Sequence, residues 1–154
     1  MKIIDLLDKN SIKLDASPSG KEEALNMAID LMDRSGKLND KEAYRRQVFA
    51  REKESTTGIG EGIAIPHGKC AAVDRPGLAA MVIPGGVDFE SLDDEPVTLM
   101  FLIAAPDTKD NVHLDVLSKL SVLLMDEEFT ASLRGAESVE EFIKLVDKAD
   151  EEKN

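Results

Sequence analysis

Tryptophan is absent from this chain, cysteine occurs once and histidine twice, and aromatic residues make up only 4% of it. With Cys70 alone, no intramolecular disulfide can form, which suits a reducing compartment. The poverty of aromatics leaves the core to Leu, Ile, Val, Ala and Met. Two histidines and one cysteine, widely scattered, offer no metal-ligand spacing. Positive charge is scarce as well: 19 Lys and Arg stand against 31 Asp and Glu, giving a formal net charge of −12. No basic run is present, so neither a nucleic-acid groove nor an anionic membrane surface is expected as a partner. The longest apolar run, Leu99 to Ala105, is too short to cross a bilayer. The opening stretch, Met1 to Asp8, is too short for a signal peptide and is broken by Asp5 and Asp8. A cytoplasmic location without membrane insertion is therefore expected.

What is present reads as one domain. The 154 residues suit a single core, and helical and extended patterns alternate, which predicts an α/β layered class. Ser19-Gly20-Lys21-Glu22 has the spacing of a capping box. Leu25, Ala28, Ile29 and Met32 follow at helical intervals, with Gly36 as the stop. A second helix is predicted from Asn39 or Asp40 toward Arg51, carrying Ala43, Val48 and Phe49. Thr57 to Gly62 reads as a loop, and Ile63-Ala64-Ile65 as a strand whose ladder Pro66 ends. Leu78 to Ile83 is a further strand, turned by Pro84-Gly85-Gly86. Val97 to Ala104, the most apolar segment, is placed centrally in a sheet. A helix capped by Asp110 should bury Leu114, Leu117, Leu120 and Leu124. Helices near Glu127–Arg134 and 138–148 follow, the latter opened by a second capping box, Ser138 to Glu141. The domain is read as residues 1–148, with 149–154 as a charged, frayed tail.

The chemistry centres on His67. It follows a strand end, stiffened by Pro66 before it, and Gly68 after it leaves room for a large partner to approach. With Asp110 as N-cap, His113 would occupy the third position of its helix, where the dipole disfavours a protonated ring and an anion could be held. Arg51, at the end of the second helix, could bind phosphate in bidentate fashion. An imidazole nucleophile, a second imidazole and a guanidinium suit a phosphoryl relay, because the P–N bond of a phosphohistidine is labile and the transfer needs positioning more than covalent machinery. Bland roles are available to each: solvated charge for Arg51 and Lys69, a first-turn residue for His113, a small buried hydrophobe for Cys70. The glycine cluster 58–62 lacks a dinucleotide fingerprint, Gly68-Lys69 lacks a P-loop spacing, and no nucleophile elbow exists.

The segment from Glu52 to Gly68 closely resembles the active-site signature of the fructose/mannitol-type enzyme IIA family of the phosphotransferase system. The match takes in Glu52, Ile59-Gly60 and the unbroken Ile63-Ala64-Ile65-Pro66-His67-Gly68. His113-Leu114, with Leu117 and Leu120, is similar to the family's helix bearing a second histidine. The resemblance implies a mixed β-sheet flanked by α-helices. It implies that His67 accepts phosphate through Nε2 from the phosphorylated carrier HPr and passes it to a cysteine of an enzyme IIB for sugar uptake. His113 and Arg51 would support the phosphorylated state, and no metal or organic cofactor would be needed. At this length no fused IIB, IIC or HPr-like domain is expected, so the partners would be separate chains. Two alternatives stay open: a nitrogen-related regulatory enzyme IIA, in which phosphorylation of His67 controls protein binding without transport, and an inert interaction module.

Overall fold

The computed structural model describes residues 2–153; Met1 and Asn154, the two ends of the N-terminal and tail readings, lie outside the described residues. A short 3-10 turn, Ile3–Leu6, leads into β1 (Leu7–Lys13), followed by α1 (Lys21–Arg34) and α2 (Lys41–Glu54). Three short strands come next, β2 (Gly58–Gly60), β3 (Ile63–Ala64) and β4 (His67–Cys70), and then two long ones, β5 (Gly77–Val87) and β6 (Val97–Pro106). The chain closes with α3 (Val112–Leu123), α4 (Glu127–Arg134) and α5 (Val139–Lys153). The six strands form one mixed sheet in the order β1-β5-β6-β3-β2, with β4 also paired to β6.

The sheet is central because β5 and β6 alternate. Ala79, Met81, Ile83, Met100, Leu102 and Ala104 face one side, where Leu25, Ile29 and Met32 of α1 and Tyr44 and Val48 of α2 cover them. Leu78, Ala80, Val82, Leu99, Phe101 and Ile103 face the other, packed with Val116 and Leu120 of α3 and Phe142 and Val146 of α5. Period-2 alternation with both faces apolar is what a sheet buried between two helical layers requires. β6 is the central strand, as its composition predicts: it pairs antiparallel with β5 on one side and parallel with β3 and β4 on the other.

Several local readings need correction. The N-cap of α1 is Gly20, with no side-chain cap; Ser19 instead donates its hydroxyl to Glu23. The cap of α3 is Asn111, also without a side-chain bond, rather than Asp110, so His113 stands second in the helix. Of the stripe predicted for α3, Leu120 and Leu124, the latter just past the helix end, are buried with Val116 and Leu123, Leu117 packs partly buried against them, and Leu114 is half exposed. The glycine segment is a tight hairpin: β2 pairs antiparallel with β3, and Gly60, Glu61 and Gly62 all adopt positive φ at the turn. Pro84-Gly85-Gly86 does not turn the chain; β5 runs through it, with a register shift between Val82 and Val87. β1, unpredicted, pairs in parallel with β5 at the sheet edge. Finally, α5 continues past Lys148 to Lys153. There Asp150 is buried, accepts the Ile3 amide at 2.7 Å and pairs with Lys119 at 3.2 Å. Of the two starts left open for α2, Asp40 is the cap, and Ser138 caps α5 as expected; they accept from the amides of Ala43 and Glu141.

Candidate functional site

Pro66 builds the site by interrupting a strand. β3 and β4 lie end to end along the same flank of β6: Ile63 and Ala64 pair with Leu99 and Met100, and His67 and Gly68 with Ile103 and Ala104. Proline has no N–H to give the ladder, but its carbonyl accepts from Ile103 at 3.0 Å, so pairing resumes at once. His67 is thus the first residue of β4 rather than a loop residue beyond the sheet.

The interruption leaves the Ile65 carbonyl to the imidazole, and His67 Nδ1 lies 3.1 Å from it. A carbonyl oxygen only accepts, so the proton sits on Nδ1 and the Nε2 lone pair is left available. Burial pushes the His67 pKa below its ordinary value, and the positive charge of Arg51 acts in the same direction. The Ile65 hydrogen bond and the carboxylates of Glu52 and Glu54 oppose them.

Strand alternation sorts the neighbours. Gly68 is buried and faces α2: a methyl group there would sit 3.0 Å from Val48 Cγ2 and 3.1 Å from Tyr44 Cε1. Tyr44 cannot yield easily, because its hydroxyl donates to the Ile103 carbonyl at 2.8 Å. The glycine therefore serves the seating of α2 on β4, not the approach of a partner. We expect Gly68→Ala to destabilise the fold by about 1–3 kcal/mol, the usual cost of overpacking a well-filled contact, read as a lowered urea midpoint.

His67 and Lys69 project to the opposite face, toward the start of α3. The His113 ring lies 6.2 Å from that of His67, centroid to centroid, tilted by 33°. Its Nδ1 is buried without a hydrogen-bond partner. Burial, His67 and the Lys69 charge hold the His113 pKa below its ordinary value, with Asp115 opposing. Arg51, in the last turn of α2, is half-buried and donates to the Ser55 carbonyl at 3.0 Å. The structure brings together His67, His113 and the charge of Arg51, and adds the charge of Lys69, which the sequence reading left at the solvated surface. Cys70 is half-buried and packs against the core on the α2 side. Among the described residues, no group of His, Cys, Asp and Glu could hold a metal ion, and no helix is long and apolar enough to cross a membrane.

Both depressed histidines give a signed pH dependence. The unfolded chain takes up protons near 6.5, before the folded one does. Stability is therefore complete above that pH and falls as the solution is acidified through it. The His67 lone pair stays available down to a lower pH than a free imidazole would allow. We expect the proton titration of the His67 ring, followed by NMR, to have its midpoint below 6.5. A midpoint at or above 6.5 would contradict the burial of the ring.

The family model of the phosphoenolpyruvate-dependent sugar phosphotransferase system, EIIA 2, matches residues 5–149. A fructose-specific EIIABC component of the phosphotransferase system from Bacillus subtilis is 46% identical over 150 residues, which are 97% of this chain and 24% of that protein. The chain thus spans about a quarter of that relative's length. The nitrogen regulatory protein IIA-Ntr from Neisseria meningitidis superimposes with a TM-score of 0.86 at 33% identity, over 94% of this chain and 98% of that one. A mannitol enzyme IIA, solved in complex with phosphorylated enzyme IIB from Escherichia coli, gives 0.77 at 31% identity, covering 92% and 98%.

Proposed function

This chain belongs to the EIIA 2 family of the phosphoenolpyruvate-dependent sugar phosphotransferase system, and on that premise we propose that it is a phosphoryl carrier in which His67 Nε2 takes the group from phospho-HPr and yields it to an enzyme IIB. The observation that carries this reading is the hydrogen bond from Nδ1 to the Ile65 carbonyl, which leaves Nε2 as the nucleophilic nitrogen of a neutral ring. In the transfer, the Nε2 lone pair forms the new P–N bond. The donor's P–N bond breaks with its electron pair returning to the donor imidazole; a donor ring protonated on its other nitrogen leaves neutral. The Nδ1 proton of His67 remains in place. The charge on the transferring oxygens is met by Arg51 and Lys69 and by the amino end of α3 beside His113, groups set in advance of the reaction.

A protein partner, rather than a small donor, fits the surface around this site. Leu114, next to His113 on α3, is exposed; Val122 near the other end of that helix, Met125 beyond it and Ile59 of the hairpin are exposed too, and Ile59 and Met125 line a separate cavity that includes neither histidine. Leu114, an exposed leucine adjoining the second imidazole, is the kind of apolar contact that a docking protein would cover. The mannitol relative's complex with phosphorylated enzyme IIB supports an enzyme IIB as the acceptor here.

A regulatory reading draws on the likeness to the Neisseria nitrogen regulatory protein, in which case phosphorylation of His67 would alter protein binding and no sugar would move. Incubation with labelled phosphoenolpyruvate, enzyme I, HPr and a panel of enzyme IIB proteins separates the two. Rapid onward transfer to one IIB supports transport. Labelling of this chain with no IIB discharging it supports regulation. A chain left unlabelled while HPr is labelled removes both.

A further inference from the structure

The residue that offers this carbonyl must itself be held, and a polar chain running back to two helices holds Ile65 by its amide. Ile65 donates its amide to the Thr57 carbonyl at 3.0 Å. Thr57 in turn gives both of its donors to one carboxylate: its amide to Glu52 Oε1 and its hydroxyl to Glu52 Oε2, each at 2.7 Å. Glu52, at the end of α2, is 8% exposed. A buried carboxylate needs a counter-charge, and Lys21 at the start of α1 supplies it, with Nζ 3.1 Å from Oε1. Lys21 is seated by the Phe89 ring, 4.7 Å from its centroid. Every polar atom of the Glu52 carboxylate thus has a partner, and the peptide two residues before the reactive histidine is tied to the junction of α1 and α2. Nothing in the phosphoryl chemistry requires a buried Lys–Glu pair on this side of the sheet, and a purely structural pair would be no more stabilising than an apolar contact of similar size.

We propose that Glu52, seated by Lys21, is a positioning residue: through Thr57 and the Ile65 main chain it keeps the His67 proton on Nδ1 and so determines which ring nitrogen forms the P–N bond. The proposal rests on the carrier reading for its consequence. Its first step, the placement of a proton, exists in the unphosphorylated chain and is tested there. Glu52 makes no hydrogen bond to the imidazole; it fixes the tautomer through the backbone it anchors, while its charge separately raises the His67 pKa.

The experiment is long-range proton–nitrogen correlation spectroscopy on the full 15N-labelled chain, in which the ring nitrogen shifts of His67 report the tautomer. In the wild-type chain Nδ1–H should predominate. Glu52→Ala should lower the ratio of Nδ1–H to Nε2–H roughly fivefold, the size expected when one neutral hydrogen bond is weakened. Thr57→Val, which removes only the hydroxyl contact, should lower it less, and Glu52→Gln, which keeps an acceptor for the Thr57 amide, should restore most of it. The amide spectra of β5 and β6 show whether each variant is folded, and Thr57→Val serves where Glu52→Ala is not. A second readout is phosphorus spectroscopy after phosphorylation: Nδ1-linked phosphohistidine should appear in the variants and not in the wild type. Unchanged tautomer ratios in the folded variants overturn the proposal, even if His67 is phosphorylated normally. A shifted ratio in a chain that takes no phosphate upholds it while removing the carrier reading.

Discussion

His67→Ala should abolish phosphoryl acceptance altogether, with no residual transfer to His113. The second imidazole lies close enough, at 6.2 Å between centroids, to make substitution by it a real question. The geometry answers it. His113 has a depressed pKa and a buried Nδ1 without a partner, so no hydrogen bond fixes its tautomer as the Ile65 carbonyl fixes that of His67. An unheld ring presents neither nitrogen in a fixed orientation, and His113 rides on the first turn of a helix rather than at the lip of the sheet. A labelling assay with phosphoenolpyruvate, enzyme I and HPr checks this directly. Label on the His67→Ala chain would show that the two histidines share the work.

Arg51→Ala should slow transfer both to and from the chain by roughly ten- to a hundredfold, the kinetic equivalent of one lost charge-assisted hydrogen bond. Arg51 stands at the last turn of α2, half-buried, with one guanidinium nitrogen tied to Ser55 and its charge felt at His67. That tether holds the guanidinium in place before the phosphoryl group arrives, so little ordering is required in the transition state. Two effects oppose each other in the variant. Loss of the cation makes His67 more basic, which favours the nucleophile. It also removes a positive charge facing the transferring oxygens, which disfavours the phosphorylated state. The second dominates, because three oxygens share that charge while the first alters only one lone pair. Arg51→Lys should recover part of the rate, since it keeps the charge and loses the bidentate fork. Rates of HPr-dependent labelling and of IIB-dependent discharge, measured separately, test both directions. A variant that transfers at the wild-type rate in each would reduce Arg51 to a helix-end charge.

Local chemistry made parts of the molecule legible in the sequence. Asp40 and Ser138 are read as caps because a side chain and an amide three residues on satisfy each other without outside help. The stretch Val97 to Ala104, apolar but for Thr98, is read as a central strand because only burial on both faces tolerates it. Where two capping residues adjoin, the pattern misleads: Asp110 and Asn111 are both able caps, and the chain turns at the second. β1 was hidden because Lys9 and Asn10 are exposed and break its alternation; the strand exists because β5 pairs with it.

The site divides along the same line. His67, His113 and Arg51 could be named from residue type and from a family signature. The role of Gly68 could not, because it depends on Tyr44 and Val48 arriving from α2. Nor could the link from Lys21 through Glu52 and Thr57 to Ile65. Its members sit on different elements, and each looks like an ordinary surface or helix-end residue until the fold assembles them. The signature does include Glu52, but as a letter in a pattern; the reason for a carboxylate there is the pair of donors that Thr57 turns toward it.

All of this depends on one ring nitrogen being free while the other is engaged. The measurement that meets that dependence most directly is the phosphorus spectrum of the wild-type chain after incubation with phosphoenolpyruvate, enzyme I and HPr. A single acid-labile, base-stable phosphohistidine signal of the Nε2-linked kind, mapped to the peptide containing His67, is the predicted result. A signal assigned to Nδ1 of His67 or to His113, or no signal beside a fully labelled HPr, would contradict it.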